Sequence, residues 1–267
     1  MRYEASQSRT GRRIALSASR RIIGDLLHFA QRVPTVPVQK TLRLREVYRL
    51  RAALPERPGW CAIFTKAYAL VADAFPELRR AYLPWPWPHL YEHPISIASV
   101  AIEREYAGER CVFFTHIRAP DRQALPVLDR HLRRCKSEPV EHFGLFRRAL
   151  RVGRWPAVVR RTLWRIGLYG SGRKRARRLG TFGVTSYAAL GAESLHPLSP
   201  LTTTLTYGVL QRGARLAVRV VYDHRVLDGA VVARALAFLE EVLHGAIADE
   251  LRALSRSPTA DRGKEAC

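Results

Sequence analysis

The chain has 267 residues, with 45 Lys or Arg against 23 Asp or Glu, so its formal net charge at pH 7 is +22. A hydrophobic fraction of 47% is ordinary for globular proteins, and a chain of this length can bury a sizeable core, which excludes global disorder. The cysteines show no short paired spacing, which excludes a zinc ribbon and a dense disulfide framework and favours a reducing cytoplasm: Cys61, Cys111, Cys135 and Cys267.

The N-terminal stretch is basic and serine-rich, and it lacks the continuous apolar run of about 7–15 residues that a secretory signal needs. Nowhere do about 18 apolar residues follow one another without a charge, so no transmembrane helix is expected. The sequence therefore predicts a cytoplasmic protein that would meet a membrane only at its inner surface.

Residues 1–19 and 254–267 are polar and rich in small side chains, so we expect both ends to be disordered tails. Residues 20–253 are expected to form one domain. Within it, apolar residues recur at helical spacing in three early segments: 20–31, 44–54 and 61–75.

Two β-branched and aromatic runs, 95–103 and 110–117, flank the turn-prone residues 106–109 and predict a hairpin. A helix is expected next at 120–135. Strand patterns follow at 181–187, 202–210 and 214–222, and then a helix at 230–247 whose apolar face contains Val231, Ala235, Leu239 and Val242. The order predicts a mixed α/β chain without an internal repeat, closing on a strand, a tight turn and a helix.

The tight turn reads Asp223-His224-Arg225-Val226-Leu227-Asp228-Gly229. A histidine on a short connection between a strand and a helix is held by fixed backbone on both sides, and its ordinary pKa of about 6.5 suits a general base. Taken singly, the residues also fit a non-catalytic alternative, in which Asp228 caps the helix and His224 is a structural surface histidine.

The complete heptad DHRVLDG resembles the signature of the acyltransferase component of 2-oxoacid dehydrogenase complexes, the dihydrolipoyl acyltransferase. Upstream, GTFGVTSYAALG (180–191) and HPLSPLTTTLTYG (196–208) are similar to that family's GTFTISNLG and the proline-containing strand after it. Weaker similarities at 19–36 and 65–82 extend the resemblance over about residues 20–253.

The resemblance implies a chloramphenicol acetyltransferase-like α/β fold, with a mixed sheet flanked by helices. It also implies a homotrimer with active sites between subunits. His224 would remove a proton from the nucleophile that attacks a thioester carbonyl. Thr185, where the family has serine, would donate a hydrogen bond to the oxyanion, with Ser186 as the neighbouring alternative.

The same resemblance implies supporting roles around the turn. Asp228 would form a buried ion pair with Arg20 or Arg21 near the start of the domain. Asp223 and Arg225 would support the turn that carries the histidine.

Lipoyl and partner-binding domains are not recognisable, so we expect a stand-alone acyltransferase without a covalently bound cofactor. The expected donor is a thioester of coenzyme A or an acyl carrier, and the acceptor a hydroxyl, amine or thiol. The alternative is a non-catalytic trimeric binding or scaffold protein that uses its cationic surface for anionic lipid or nucleic acid.

Residues 143–180 depart most from the family, because they hold 12 Lys or Arg and no Asp or Glu. Phe146, Trp155 and Trp164 interleave with the arginines, which is typical of a helix in an anionic lipid interface, and residues 85–91 could add an aromatic anchor. Alternatively, the aromatic side chains pack on the core while the arginines are solvated or bind coenzyme A phosphates. Nucleic acid is disfavoured, since no nucleic-acid fold motif is recognisable.

The histidines show no metal-ligand spacing with cysteine or carboxylate partners, so no metal site is predicted. Neither a Walker loop nor a G-x-G-x-x-G turn is present, which argues against a nucleotide-driven enzyme.

Overall fold

The centre of the fold is a six-stranded mixed sheet with the strand order β1-β8-β7-β6-β4-β5. The computed structural model describes residue 11 and residues 13–256. The strands of this sheet are β1 (Thr35–Arg43), β4 (Ile97–Tyr106), β5 (Glu109–Arg118), β6 (Phe182–Thr185), β7 (Thr203–Tyr207) and β8 (Arg215–Asp223). A separate two-stranded sheet pairs β2 (Arg80–Leu83) with β3 (His89–Glu92).

The helices lie on both faces of the six-stranded sheet and along its β5 edge. They are α1 (Ala18–Ala30), α2 (Arg45–Ala53), α3 (Trp60–Ala74), α4 (Leu125–Ser137), α5 (Gly144–Gly153), α6 (Ala157–Tyr169), α7 (Gly172–Leu179), α8 (Gly229–Val242) and α9 (Ala248–Arg256). A π-helical turn, Leu243–Ile247, joins α8 to α9.

Side chains alternate between the two faces of the sheet, and the two faces differ in chemistry. The inner face, which contains Phe182 and Val184, packs against helices such as α3, whose Tyr68 ring lies 4.9 Å from the Phe182 ring. The outer face contains Gly183 and Thr185, and Thr204 of β7 lies next to Gly183 on the same side. The main apolar core is therefore on the inner face.

The predicted hairpin is confirmed. β4 and β5 pair antiparallel from Ile97↔Arg118 to Tyr106↔Glu109, and Ala107 and Gly108 turn the chain with φ angles of 52° and 74°. The three later strand patterns correspond to β6, β7 and β8. The helix predicted at 230–247 begins at Gly229, where the tight turn ends, and consists of α8 and the π-helical turn that follows it.

Several predicted boundaries differ from those observed. The helix predicted at 120–135 begins only at Leu125, because residues 120–122 form a separate short turn and Pro126 occupies the first turn of α4. Ser17 accepts a hydrogen bond from the N–H of Arg20, so α1 begins inside the predicted N-terminal tail. Residues 254–256 likewise continue α9, and the remaining tail residues 1–10, 12 and 257–267 lie outside the described part.

Residues 143–180 form three helices, α5, α6 and α7. Pro156 ends the connection between α5 and α6, and Gly170 and Ser171 separate α6 from α7. α6 packs on α1 through a buried ion pair, in which Arg160 Nε lies 2.6 Å from an Asp25 carboxylate oxygen. The Trp164 ring stacks on Phe29 of α1 at 6.1 Å. Two of the three helices, α5 and α6, thus pack on α1.

Candidate active site

The turn after β8 presents His224 to solvent. Its backbone N–H donates to the carbonyl of Pro34 at 3.0 Å, which extends the pairing of β8 with β1 beyond the last strand residue. The imidazole is half-exposed and lies 5.5 Å, centroid to centroid, from the Tyr222 ring. A fixed backbone therefore carries an accessible ring, as a general base requires.

Asp223 and Arg225 clamp this turn. The Asp223 carboxylate is buried, and it accepts hydrogen bonds from the Arg225 backbone N–H at 3.0 Å and from Nε and Nη2 at 2.9 and 2.8 Å. The Arg225 guanidinium lies over the Tyr82 ring at 4.5 Å. Charge-assisted bidentate pairing and stacking together restrict the turn on either side of His224.

The predicted ion pair of Asp228 with Arg20 or Arg21 is wrong for the arrangement seen in this chain. Arg20 binds Glu109 at 3.0 Å instead, because α1 lies beside β5, at the sheet edge far from β8. The Asp228 side chain is 85% exposed, and its Oδ1 is 4.0 Å from His224 Nδ1. It makes no side-chain capping bond to α8 either. Arg21 lies on α1 next to Arg20 and is only partly buried.

Thr185 and Ser186 end β6 with hydroxyls in different surroundings. Ser186 donates to the Tyr207 carbonyl at 2.9 Å and accepts from the Ala188 N–H at 3.1 Å, so its hydroxyl serves the local turn. Among the residues that the structure describes, the Thr185 hydroxyl has no hydrogen-bond partner. It stands on the outer face and is partly exposed. Thr185 is therefore the hydroxyl available to a ligand.

A single chain keeps Thr185 and His224 apart. Thr185 is opposite Thr206 on β7, and Thr206 is opposite Arg219 on β8, five residues before His224. Two strand spacings of about 4.8 Å and five residues at about 3.3 Å each separate their backbones by about 19 Å. The two predicted catalytic groups cannot act on one carbonyl within one chain.

Arg219 is a polar group near Thr185 and is not among the predicted site residues. It shares the outer face with Thr185 and Thr206, and its guanidinium binds the Glu193 carboxylate at 2.9 Å while remaining largely buried. The sequence contains an indication of this site, because Arg219 is the one charged residue inside the apolar run Leu216–Tyr222. A charge at a position that alternates with core residues indicates an outward-facing functional or structural role.

A cavity of about 230 Å³ lies between the outer face and the helices α1, α5, α6 and α7. Its lining is mostly apolar and includes Leu26, Phe114, Ala149 and Trp164. Ser99 also lines it, and Ser99 is the pairing partner of Gly183, two residues before Thr185 on the same face. Thr185 lies on β6 and Ser99 lies on the neighbouring strand β4, so the cavity reaches the strand next to that of Thr185.

Burial governs the titratable groups near this cavity and elsewhere in the core. It lowers the pKa of His116, on the cavity wall, to about 4, so this histidine is neutral at pH 7. Burial raises the pKa of the Cys61, Cys111 and Cys135 thiols. These cysteines are therefore protonated at neutral pH and are poor nucleophiles.

No group of three or more His, Cys, Asp or Glu within residue 11 and residues 13–256 is arranged to hold a metal ion. None of the helices in the same described part has the length and apolar character needed to cross a bilayer.

No family model and no curated protein matches this sequence. Solved structures match its fold. A dihydrolipoamide acetyltransferase from Azotobacter vinelandii is 17% identical with a TM-score of 0.64, covering 95% of this chain and 98% of that one; it was investigated for the catalytic roles of a serine, a histidine and an asparagine.

Two further structures agree. A probable dihydrolipoamide acetyltransferase from Listeria monocytogenes is 18% identical with a TM-score of 0.61 and covers 94% of this chain and 98% of its own. A truncated catalytic core of the 2-oxoacid dehydrogenase complex from Thermoplasma acidophilum is 15% identical with a TM-score of 0.64, covering 88% and 99%. The predicted fold class is confirmed: this chain has the fold of the acyltransferase catalytic cores of 2-oxoacid dehydrogenase complexes.

Proposed function

We propose that the chain is an acyltransferase that moves an acyl group from a thioester to a hydroxyl, amine or thiol acceptor. One observation carries this proposal. In a fold shared with dihydrolipoamide acetyltransferases, an accessible histidine stands on a turn that the buried Asp223–Arg225 pair holds in place. Fold alone does not imply function, so the proposal rests on the residues of the site.

In the proposed reaction, His224 removes the proton from the acceptor as its oxygen, nitrogen or sulfur attacks the thioester carbonyl. The carbonyl oxygen becomes an oxyanion that accepts a hydrogen bond from the Thr185 hydroxyl. When the tetrahedral intermediate collapses, the carbon–sulfur bond breaks and the protonated imidazole returns its proton to the departing thiolate. His224 ends neutral, so the cycle closes without a cofactor or metal.

Two copies of the chain are needed for this chemistry. Since about 19 Å separates the backbones of the two groups in one chain, we propose that His224 of one subunit acts with the partner subunit's Thr185. A homotrimer with active sites between neighbours provides such a contact at each interface.

The Azotobacter enzyme was investigated at a histidine and at an asparagine four positions later. Here Asp228 is four positions after His224, with Oδ1 4.0 Å from Nδ1. We propose that Asp228 orients the imidazole, and that Asp223 and Arg225 hold the turn. The alternative role of Asp228 as a helix cap lacks support, because its side chain makes no capping hydrogen bond to α8.

The donor we propose is a thioester of coenzyme A or of an acyl carrier protein. The cavity beside the outer face is mostly apolar and suits the hydrocarbon part of an acyl group. We propose a cytoplasmic enzyme whose catalytic domain, predicted at residues 20–253, contains residues 143–180 as an added segment.

A thioester-consumption assay tests the function, with acetyl, butyryl and octanoyl coenzyme A against hydroxyl, amine and thiol acceptors. We expect turnover by the wild type and a loss of about 10²–10⁴-fold in His224→Ala, because the general base is gone. Full activity in His224→Ala would overturn the assignment. No turnover with any pair, together with lipid or oligonucleotide binding that ignores His224→Ala, would favour the scaffold alternative.

A further inference from the structure

One side of α6 exposes apolar side chains that no part of the described chain covers. Exposed fractions are 78% for Val158, 43% for Val159, 38% for Leu163 and 53% for Ile166, and Trp155, just before the helix, is 40% exposed. Counted from Trp155, the other four follow at three, four, eight and eleven positions, which places them along one side of the helix. We call these five residues the α6 ridge.

The orientation of α6 is held by its opposite side. Arg160 is buried there in a two-point ion pair with Asp25, and Trp164 stacks on Phe29. A soluble surface helix buries its apolar stripe and exposes its charges. In α6, an arginine instead points inward and four aliphatic side chains point outward. The ridge is therefore not an apolar face that packs on α1.

The surroundings of the α6 ridge are strongly cationic. Of the 12 Lys and Arg in residues 143–180, Arg160 and Arg175 are buried and ten are exposed, and the segment has no acidic residue. Arg161 and Arg165 border the ridge on α6 itself. The exposed cations of α7 are Arg173, Lys174, Arg177 and Arg178.

Apolar residues flanked by guanidinium groups are complementary to an anionic lipid surface, where aliphatic and Trp side chains enter the acyl boundary and arginines contact phosphates. A nucleic acid would use the charges and leave the aliphatic side chains in water. At 13 residues, α6 is too short to span a bilayer of about 30 Å, so it would lie in the surface.

We propose that the α6 ridge docks the protein on an anionic lipid bilayer, with α6 parallel to the membrane at headgroup depth. None of the α6 ridge residues is one to which we assign a catalytic role, so the docking proposal does not depend on the proposed catalysis. The exposed Trp85 and Trp87, between β2 and β3, were the other predicted anchor and are not needed for the ridge to bind.

Vesicle co-sedimentation of the full-length protein tests the proposal, with phosphatidylcholine vesicles with and without phosphatidylglycerol, at low and high salt. The double variant Val158→Ser/Ile166→Ser removes apolar area from the ridge and keeps every arginine. The matched control is Val127→Ser, at a position on α4 that is 51% exposed. Circular dichroism checks that all variants are folded.

Wild type and Val127→Ser should bind vesicles containing phosphatidylglycerol, and binding should weaken with salt. The ridge variant should bind about tenfold more weakly, because less apolar area enters the interface. His224→Ala should bind like wild type, so failure of the acyltransferase proposal would leave this result unchanged.

Three results would overturn the ridge proposal. The first is no binding of the wild type to anionic vesicles at low salt, including the case in which a duplex oligonucleotide binds instead. The second is equal vesicle binding by the ridge variant and the wild type. The third is a fall in oligomeric mass, by light scattering, in the ridge variant alone, which would assign the ridge to a subunit contact.

Discussion

At the end of β6, the adjacent hydroxyls of Thr185 and Ser186 differ in their hydrogen bonding. Ser186 is engaged by the Tyr207 carbonyl and the Ala188 N–H, and Thr185 has no partner for its hydroxyl in the described chain. The family resemblance placed the oxyanion donor at Thr185 and left Ser186 as the alternative. The hydrogen bonds of Ser186 favour Thr185, because a hydroxyl that already donates to a carbonyl cannot donate to an oxyanion as well.

Replacing Thr185 with Val keeps the shape of the side chain and removes the donor. We expect kcat to fall about 10²–10³-fold, corresponding to about 3–4 kcal/mol, with KM for the thioester little changed. Thr185→Ser should keep most of the activity. Steady-state kinetics measure both, and the assignment moves to Ser186 if Ser186→Ala loses kcat while Thr185→Val does not.

His116, on the wall of the cavity, links stability to pH. Its folded pKa of about 4 is below the ordinary 6.5, so the unfolded chain takes up the proton first as pH falls. The stability from the neutral ring is fully present above about pH 6.5 and is lost by up to about 1.4 kcal/mol per pH unit down to about pH 4. Urea unfolding at several pH values should show a shallower loss in His116→Asn than in wild type over this window. Identical slopes would contradict the prediction.

At the scale of elements, α6 is joined to α1 by the ion pair of Asp25 and Arg160, both largely buried. The sequence reading identified the basic, aromatic character of residues 143–180 and offered two alternatives: core packing or a lipid interface. Core packing describes Phe146 and Trp164, and the lipid interface stays a prediction. Phe146 is buried and Trp164 packs on Phe29, while the α6 ridge is exposed.

Asp25→Ala leaves the Arg160 charge buried without its partner. We expect the free energy of unfolding to fall by about 3–5 kcal/mol, measured by urea unfolding at one fixed protein concentration. The double variant Asp25→Ala/Arg160→Leu should recover part of the loss, since the unpaired charge is gone. A loss below about 1 kcal/mol in Asp25→Ala would show that this pair does not hold α6 on α1.

The sequence predicted some helices and strands of the fold and not others. Local periodicity was enough for the hairpin of β4 and β5, for β8 and for α8. β1 was missed, although it spans Thr35–Arg43, because Pro34 and Pro37 hide its strand pattern. Its partner is β8, residues 215–223, and its edge position is where a sheet tolerates proline. That information is not local to the segment.

For the whole molecule, the separation of His224 and Thr185 makes subunit contact part of the proposed chemistry. Co-expression of His224→Ala chains with Thr185→Val chains tests this directly. In mixed trimers, about a quarter of the interfaces should join an intact His224 to an intact Thr185, so activity should rise well above that of either variant alone, each of which should be at least about 10²-fold less active than the wild type. Thioester consumption by the co-purified mixture measures it. A site built within one chain would give no recovery.

The sequence by itself determined the α/β order, the strand–turn–helix that carries His224, and the resemblance that predicted the fold, because these depend on local periodicity and contiguous motifs. Only the tertiary structure decided that Arg20 binds Glu109 rather than Asp228, that Ser186 is occupied, and that α6 turns Arg160 inward and its aliphatic side chains outward. The physical reason is that burial and pairing depend on which surfaces distant segments bring to a side chain. Spacing along the chain does not contain that information.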